Sequence, residues 1–126
     1  MKSGLTRGLS KSLTVTVTSD MFASFNEVVI HPLFSTVSLV YHMEWISRLI
    51  LEPFLEEHEE GMGAEVKLKH LYPAKEGSTI IIKAIVYETT ERSVLTIIEA
   101  KSGDKVIAEG SVKKAIILKE KIEKMY

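Results

Sequence analysis

Cysteine is absent from this 126-residue chain. Its absence excludes disulfides, thiolate metal sites and a cysteine nucleophile, and it fits a reducing compartment. No window reaches the roughly 20 apolar residues of a membrane span, and the opening MKSGLTRGLSKSLTVTVTSD lacks the unbroken apolar core of a secretion signal. A cytoplasmic protein without a membrane partner is therefore expected. Neither sign of charge dominates, with 16 Lys and Arg against 17 Asp and Glu, so no basic face points to nucleic acid. Glutamine is missing and Asn26 is the single asparagine, while Lys, Glu and Ile are plentiful, a balance found in heat-adapted proteins.

What is present describes an ordinary globular chain. Hydrophobic residues make up 45% and charged residues 26%, at a length that suits one domain with one core spanning residues 1–126. No internal repeat, low-complexity stretch or linker interrupts it.

Residues 12–18 alternate Leu13, Val15 and Val17 with Ser12, Thr14, Thr16 and Thr18, the period of a half-buried strand. Residues 19–35 mix Phe22, Phe25, Asn26, Pro32 and Phe34 without a period, which predicts a loop with one helical turn. From Thr36 to about Glu57, Val37, Val40, Met43, Ile46, Leu49, Ile50 and Phe54 recur at helical spacing. Leu39, Trp45 and Leu51 widen that stripe, so the helix is expected to be buried on most sides, with Pro53 kinking its last turn. Glu56, Glu57, Glu59 and Glu60 flank His58, but nothing in their spacing imposes a coordination geometry; the run reads as a solvated turn and no metal is expected.

After Gly63 the period becomes two, with Ala64, Val66, Leu68 and His70 on one side and Glu65, Lys67 and Lys69 on the other. Residues 78–89, 93–100 and 105–118 read as three more strands joined by turns, and KEKIEKMY as a frayed helix or loose end. Strand, loop, long helix and four strands in meander make an α+β arrangement in which a curved antiparallel sheet of about five strands wraps one helix, as in the hotdog fold. One helix covers one face of the sheet. Ile80, Ile82, Val94 and Ile98 are expected to leave apolar surface for a second copy, in a homodimer or larger homo-oligomer.

Three polar residues stand where this pattern expects apolar ones. Thr36 opens the helix, where a threonine is ordinarily an N-cap. His70 takes an apolar-face position, where a histidine is ordinarily a satisfied core group. Glu44 sits between Met43 and Trp45, and burying its charge unpaired would cost several kcal/mol. Eight helical residues amount to about 80° of rotation and about 12 Å of rise, so Thr36 and Glu44 would bracket a site without touching. A hydroxyl, a carboxylate and an imidazole together are the parts of a hydrolase.

The string Thr36, Met43-Glu44-Trp45, Pro53, Leu55, Glu60-Gly61-Met62-Gly63, His70, Ala108-Glu109-Gly110 and Ala115-Ile116-Ile117 resembles the fluoroacetyl-CoA thioesterase branch of the hotdog thioesterases. The resemblance covers about residues 33 to 118 and implies a catalytic set of Thr36, Glu44 and His70. It also implies that the backbone at Gly63, with Met62 beside it, lies against the acyl group of an acyl-CoA substrate, with no cofactor beyond the coenzyme A of that substrate. An aromatic residue helps close the acyl pocket in that family. The nearest matching position here is Ile30, with Phe34 close by, which points to a different short acyl group.

Gly63 and His70 are seven residues apart on one strand, about 23 Å when extended. One chain cannot easily offer both to one small acyl group. If the strand pairs antiparallel with its copy near Val66 and Lys67, Gly63 of one chain faces His70 of the other. Lys67, Lys69, Lys113 and Lys114 are candidates for the phosphates of coenzyme A, though each also reads as solvated surface. Competing readings are a hotdog hydratase or dehydratase, a non-catalytic binder of acyl-CoA or another small ligand, and a structural pair of Glu44 with His70.

Overall fold

Alternating β-branched residues in the second half of the chain decide the architecture. In β5 (Thr79–Thr89), Ile80, Ile82, Ala84 and Val86 are buried while Ile81, Lys83, Ile85 and Tyr87 are exposed, and β6 (Ser93–Ser102) and β7 (Lys105–Leu118) alternate similarly. The computed structural model describes all 126 residues. In chain order these three strands follow β1 (Ser10–Thr16), a short hairpin of β2 (Phe22–Phe25) and β3 (Val28–Phe34), α1 (Thr36–Leu51) and β4 (Glu59–His70). A short helix, α2 (Lys119–Glu123), ends the chain. No helix is long and apolar enough to cross a membrane.

The main sheet is antiparallel in the order β1-β5-β6-β7-β4, with α1 packed against one face, which is the expected α+β hotdog architecture. Its connectivity differs from a four-strand meander. Only β5, β6 and β7 run as consecutive hairpins; β5 already has β1 and β6 as neighbours, so β4 pairs with β7 and forms an edge. The period change after Gly63 marked only part of this strand, which begins at Glu59.

Residues 19–35 also depart from the expected loop. A 3₁₀ turn at Ser19–Met21 leads into the β2–β3 hairpin, whose turn places Asn26 at φ 52° and Glu27 at φ 66°. Two consecutive residues with positive φ suit the right-handed twist of paired strands. Register shifts on either side of Ala23 and the proline at position 32 obscure the period of two.

Leu39, Met43, Ile46, Ile50 and Leu51 face the sheet and join Val15, Ile80, Ile82, Val94, Ile98 and Val112 in one core. Ile80, Ile82, Val94 and Ile98 are thus covered by α1 and are not the surface left for a partner. Ile81, Ile85 and Ile97 are the exposed apolar residues of the opposite face. The helix is not buried all round either, because a single sheet shields one side; Val37, Tyr41 and Trp45 remain exposed, Trp45 at 47%. The α-helix stops at Leu51, and Glu52–Phe54 continues as a 3₁₀ turn, since Pro53 has no N–H for the carbonyl four residues back.

Candidate active site

Ser35, not Thr36, is the N-cap of α1: its Oγ accepts the Ser38 N–H at 2.9 Å. That frees the Thr36 hydroxyl, which lies 2.9 Å from Nδ1 of His70 at the end of β4. An unprotonated Nδ1 accepts the hydroxyl proton, and a protonated one donates to the hydroxyl oxygen. The His70 Nε2 atom is buried without a hydrogen-bond partner. Burial is the main influence pushing the His70 pKa below the usual imidazole value; a main-chain group of Tyr72 acts against it, and His31 repels the charged form.

The sign of the resulting pH dependence follows. The folded state holds the His70 proton less tightly than the unfolded chain, so stability from this group is full above the unfolded value, near 6.5, and falls as pH drops through the lower folded value. Denaturant titrations from about pH 7 to about pH 5 are expected to show falling stability, with a shallower fall in His70→Ala. An unchanged slope in that variant would remove His70 as the source.

Glu44 lies two turns beyond Thr36 and is only half-buried, on the flank between the core and the exposed Tyr41 and Trp45. The interior carboxylate expected from the apolar pattern is thus an edge carboxylate. Gly63 stands against it: a Cβ built on Gly63 would fall 2.6 Å from Glu44 Oε1. Glu44 also lines a groove of about 450 Å³ with Tyr41, Trp45, Arg48, Leu49, Glu52 and Lys114. Arg48 is held by Glu60 at 2.5 Å and Glu52 at 3.6 Å, and the Arg48 hydrogen bond is the first cause keeping the Glu60 carboxyl below its usual range.

One chain therefore presents two separate polar pairs. Thr36 and His70 form one at the helix start; Glu44 and Gly63 form the other, about two turns along α1. A cavity of about 650 Å³ adjoins Thr36, bounded by Phe22, Phe25, His31, Val37, Tyr41 and His42 among others. Of the other expected substrate-binding residues, Met62 is exposed beside Gly63 and Ile30 is 61% exposed on the hairpin. Phe34 is 1% exposed, a core residue whose ring lies 6.2 Å from that of His42. A surface cavity of about 1070 Å³ between the N-terminal residues and the β5–β6 turn includes neither polar pair.

Lys67, Lys69 and Lys113 are exposed on the sheet, but Lys114 is only 8% exposed. By residue type and spacing alone, all four lysines read as solvated surface. The parity of β7 held the signal, because Val112, Lys114 and Ile116 share the inward side.

The fluoroacetyl-CoA-specific thioesterase family model matches residues 17–120, a span that holds the helix and both polar pairs. The chain belongs to that family. Among solved structures, a Thermus thermophilus thioesterase superfamily member is 32% identical, with 98% of this chain and 91% of that one covered at a TM-score of 0.91. The fluoroacetyl-CoA thioesterase FlK is 22% identical over 98% of this chain and 96% of its own, TM-score 0.88. A hot-dog-like protein from Thermanaerovibrio acidaminovorans is 17% identical over 94% and 88%, TM-score 0.86. The last two likenesses carry the fold. No curated protein matches the chain. Within this thioesterase family, Thr36, Glu44 and His70 occupy the matched span.

Proposed function

We propose that this family member hydrolyses a short or small acyl-CoA thioester to the free acid and coenzyme A, at a site that two chains share. The carrying observation is the division of the polar residues into a Thr36–His70 pair and a Glu44–Gly63 pair within one chain. β4 is a 12-residue edge strand, so its outer backbone groups are open to a second strand. Antiparallel pairing with its copy near Val66 and Lys67 brings Gly63 of one chain opposite His70 of the other, joining the two half-sites twice per dimer. The exposed Val37, Tyr41 and Trp45 supply apolar surface beside that edge.

In the shared site Glu44 either takes a proton from an attacking water, which His70 relays to the departing thiolate, or attacks the thioester carbonyl to give an anhydride that water then hydrolyses, the proton of that water passing through His70 to the thiolate. The Thr36 hydroxyl, tied to His70 Nδ1, orients the imidazole and the water. Main-chain N–H groups at Gly63 or in the first turn of α1 hold the carbonyl oxygen as negative charge develops. Exposed Lys67, Lys69 and Lys113 are the candidates for the phosphates of coenzyme A. The acyl group is short and differs from fluoroacetyl, since Ile30 stands where the family has an aromatic residue.

Thiol release from a panel of short and branched acyl-CoAs tests the activity, and mixing variants tests the shared site. Glu44→Ala and His70→Ala chains, each inactive alone, are expected to regain roughly a quarter of wild-type activity when unfolded together and refolded, because half the dimers are mixed and carry one intact site. No regain would place the whole site within one chain. Binding of acyl-CoA without thiol release would replace the hydrolase with a binding protein.

A further inference from the structure

Lys114 is a buried cation that the proposed chemistry leaves unused. It belongs to the inward row of β7, where its cross-strand neighbours are Val94 on β6 and Gly63 on β4. Gly63 presents no side chain, and the space its Cβ would take is filled by the Glu44 carboxylate. Lys114 and Glu44 line the same groove, walled by Tyr41, Trp45 and Leu49. A charge held among apolar groups and away from water requires an opposite charge nearby. The other cation in the groove, Arg48, is engaged by Glu60 and Glu52. That leaves Lys114 as the cation of this groove not held by another carboxylate; it shares the groove with Glu44 without a direct ion pair, so its charge acts on the carboxylate through space.

We propose that Lys114 is a positioning residue whose charge, across the groove and opposite Gly63, draws the Glu44 carboxylate into the orientation in which it meets the thioester. Burial pushes the Lys114 ammonium below its usual pKa, while Glu44 favours the charged form and Arg48 opposes it, which is the electrostatic signature of this neighbourhood. Lys114 differs in this from the exposed Lys113 beside it, which can swing freely toward a phosphate.

The test compares Lys114→Met, which keeps length and removes charge, with Lys114→Arg, which keeps charge. The substrates are an acyl-CoA and the same acyl group on N-acetylcysteamine, which lacks every phosphate. Lys114→Met is expected to lower kcat by roughly tenfold or more on both substrates with KM changed less than about twofold, and Lys114→Arg to recover most of that loss. A raised KM confined to the acyl-CoA would overturn the proposal and make Lys114 a coenzyme A ligand. The kinetic arm rests on the thioesterase reading; a spectroscopic arm does not. The Glu44 carboxyl ¹³C resonance, assigned by its disappearance in Glu44→Gln, is expected to move in Lys114→Met and return in Lys114→Arg. Reciprocally, the Lys114 ammonium ¹⁵N resonance is expected to move in Glu44→Gln, a readout that stands if Lys114→Met does not fold. Resonances that stay in place sink the proposal even where thioesters are cleaved. Resonances that move in a protein that cleaves none support the pairing and sink the hydrolase reading alone.

Discussion

Replacing Glu44 with glutamine is expected to lower kcat/KM for the best acyl-CoA substrate by roughly a thousandfold, the scale of losing a general base or a carboxylate nucleophile. The fold is expected to survive. Glu44 is half-buried at the margin of the core, and glutamine preserves its volume while removing its charge. The neighbouring Gly63 still offers the same space, and the apolar side of α1 built on Leu39, Met43, Ile46 and Ile50 is untouched. Stability is therefore expected to change by no more than about 1 kcal/mol, because Glu44 is half-buried and no direct ion pair is broken. A variant that keeps more than a tenth of the wild-type rate at equal folded concentration would exclude Glu44 from the chemistry. One that loses activity together with its cooperative unfolding transition would mark Glu44 as structural.

Gly110→Ala is expected to produce the largest loss of stability. A Cβ at this position would lie 2.0 Å from the Lys67 carbonyl oxygen and 2.9 Å from Cε of Met43. The methionine can swing aside, but the carbonyl belongs to a strand backbone paired through Leu68 with Gly110 itself. The methyl group can be accommodated only if β4 parts from β7. The expected cost is about 3 kcal/mol or more, with a Tm lowered by on the order of 10 °C. Because β4 carries both Gly63 and His70, activity is expected to fall with the folded fraction. A variant melting within about 3 °C of the wild type would mean that the two strands separate there at little cost.

These expectations separate what could be read along the chain from what could not. Strands β5, β6 and β7 were legible because their residues alternate over most of their length despite bulges at Tyr87 and Ile107, and because tight turns join them. The long helix was legible from its apolar spacing, and its end was misplaced because Pro53 stops the α-helical ladder earlier than the apolar pattern does. The β2–β3 hairpin was not legible: bulges at Ala23 break its alternation, and its turn uses Asn26-Glu27 where a glycine would have signalled it. Thr36, Glu44 and His70 stood out as polar exceptions in apolar patterns. Lys114 was equally exceptional by parity, but the adjacent Lys113 made the pair look like ordinary surface.

Sequence alone determined the fold class and named the three polar residues, because periodicity and chemical type are local properties of the chain. Tertiary structure decided their grouping. Whether Glu44 meets Gly63, whether Thr36 meets His70, and which lysine lies buried beside the carboxylate all depend on β4 crossing to the far side of β7. That crossing follows from β5 having both of its edges occupied by β1 and β6, a competition between distant segments that no local pattern records.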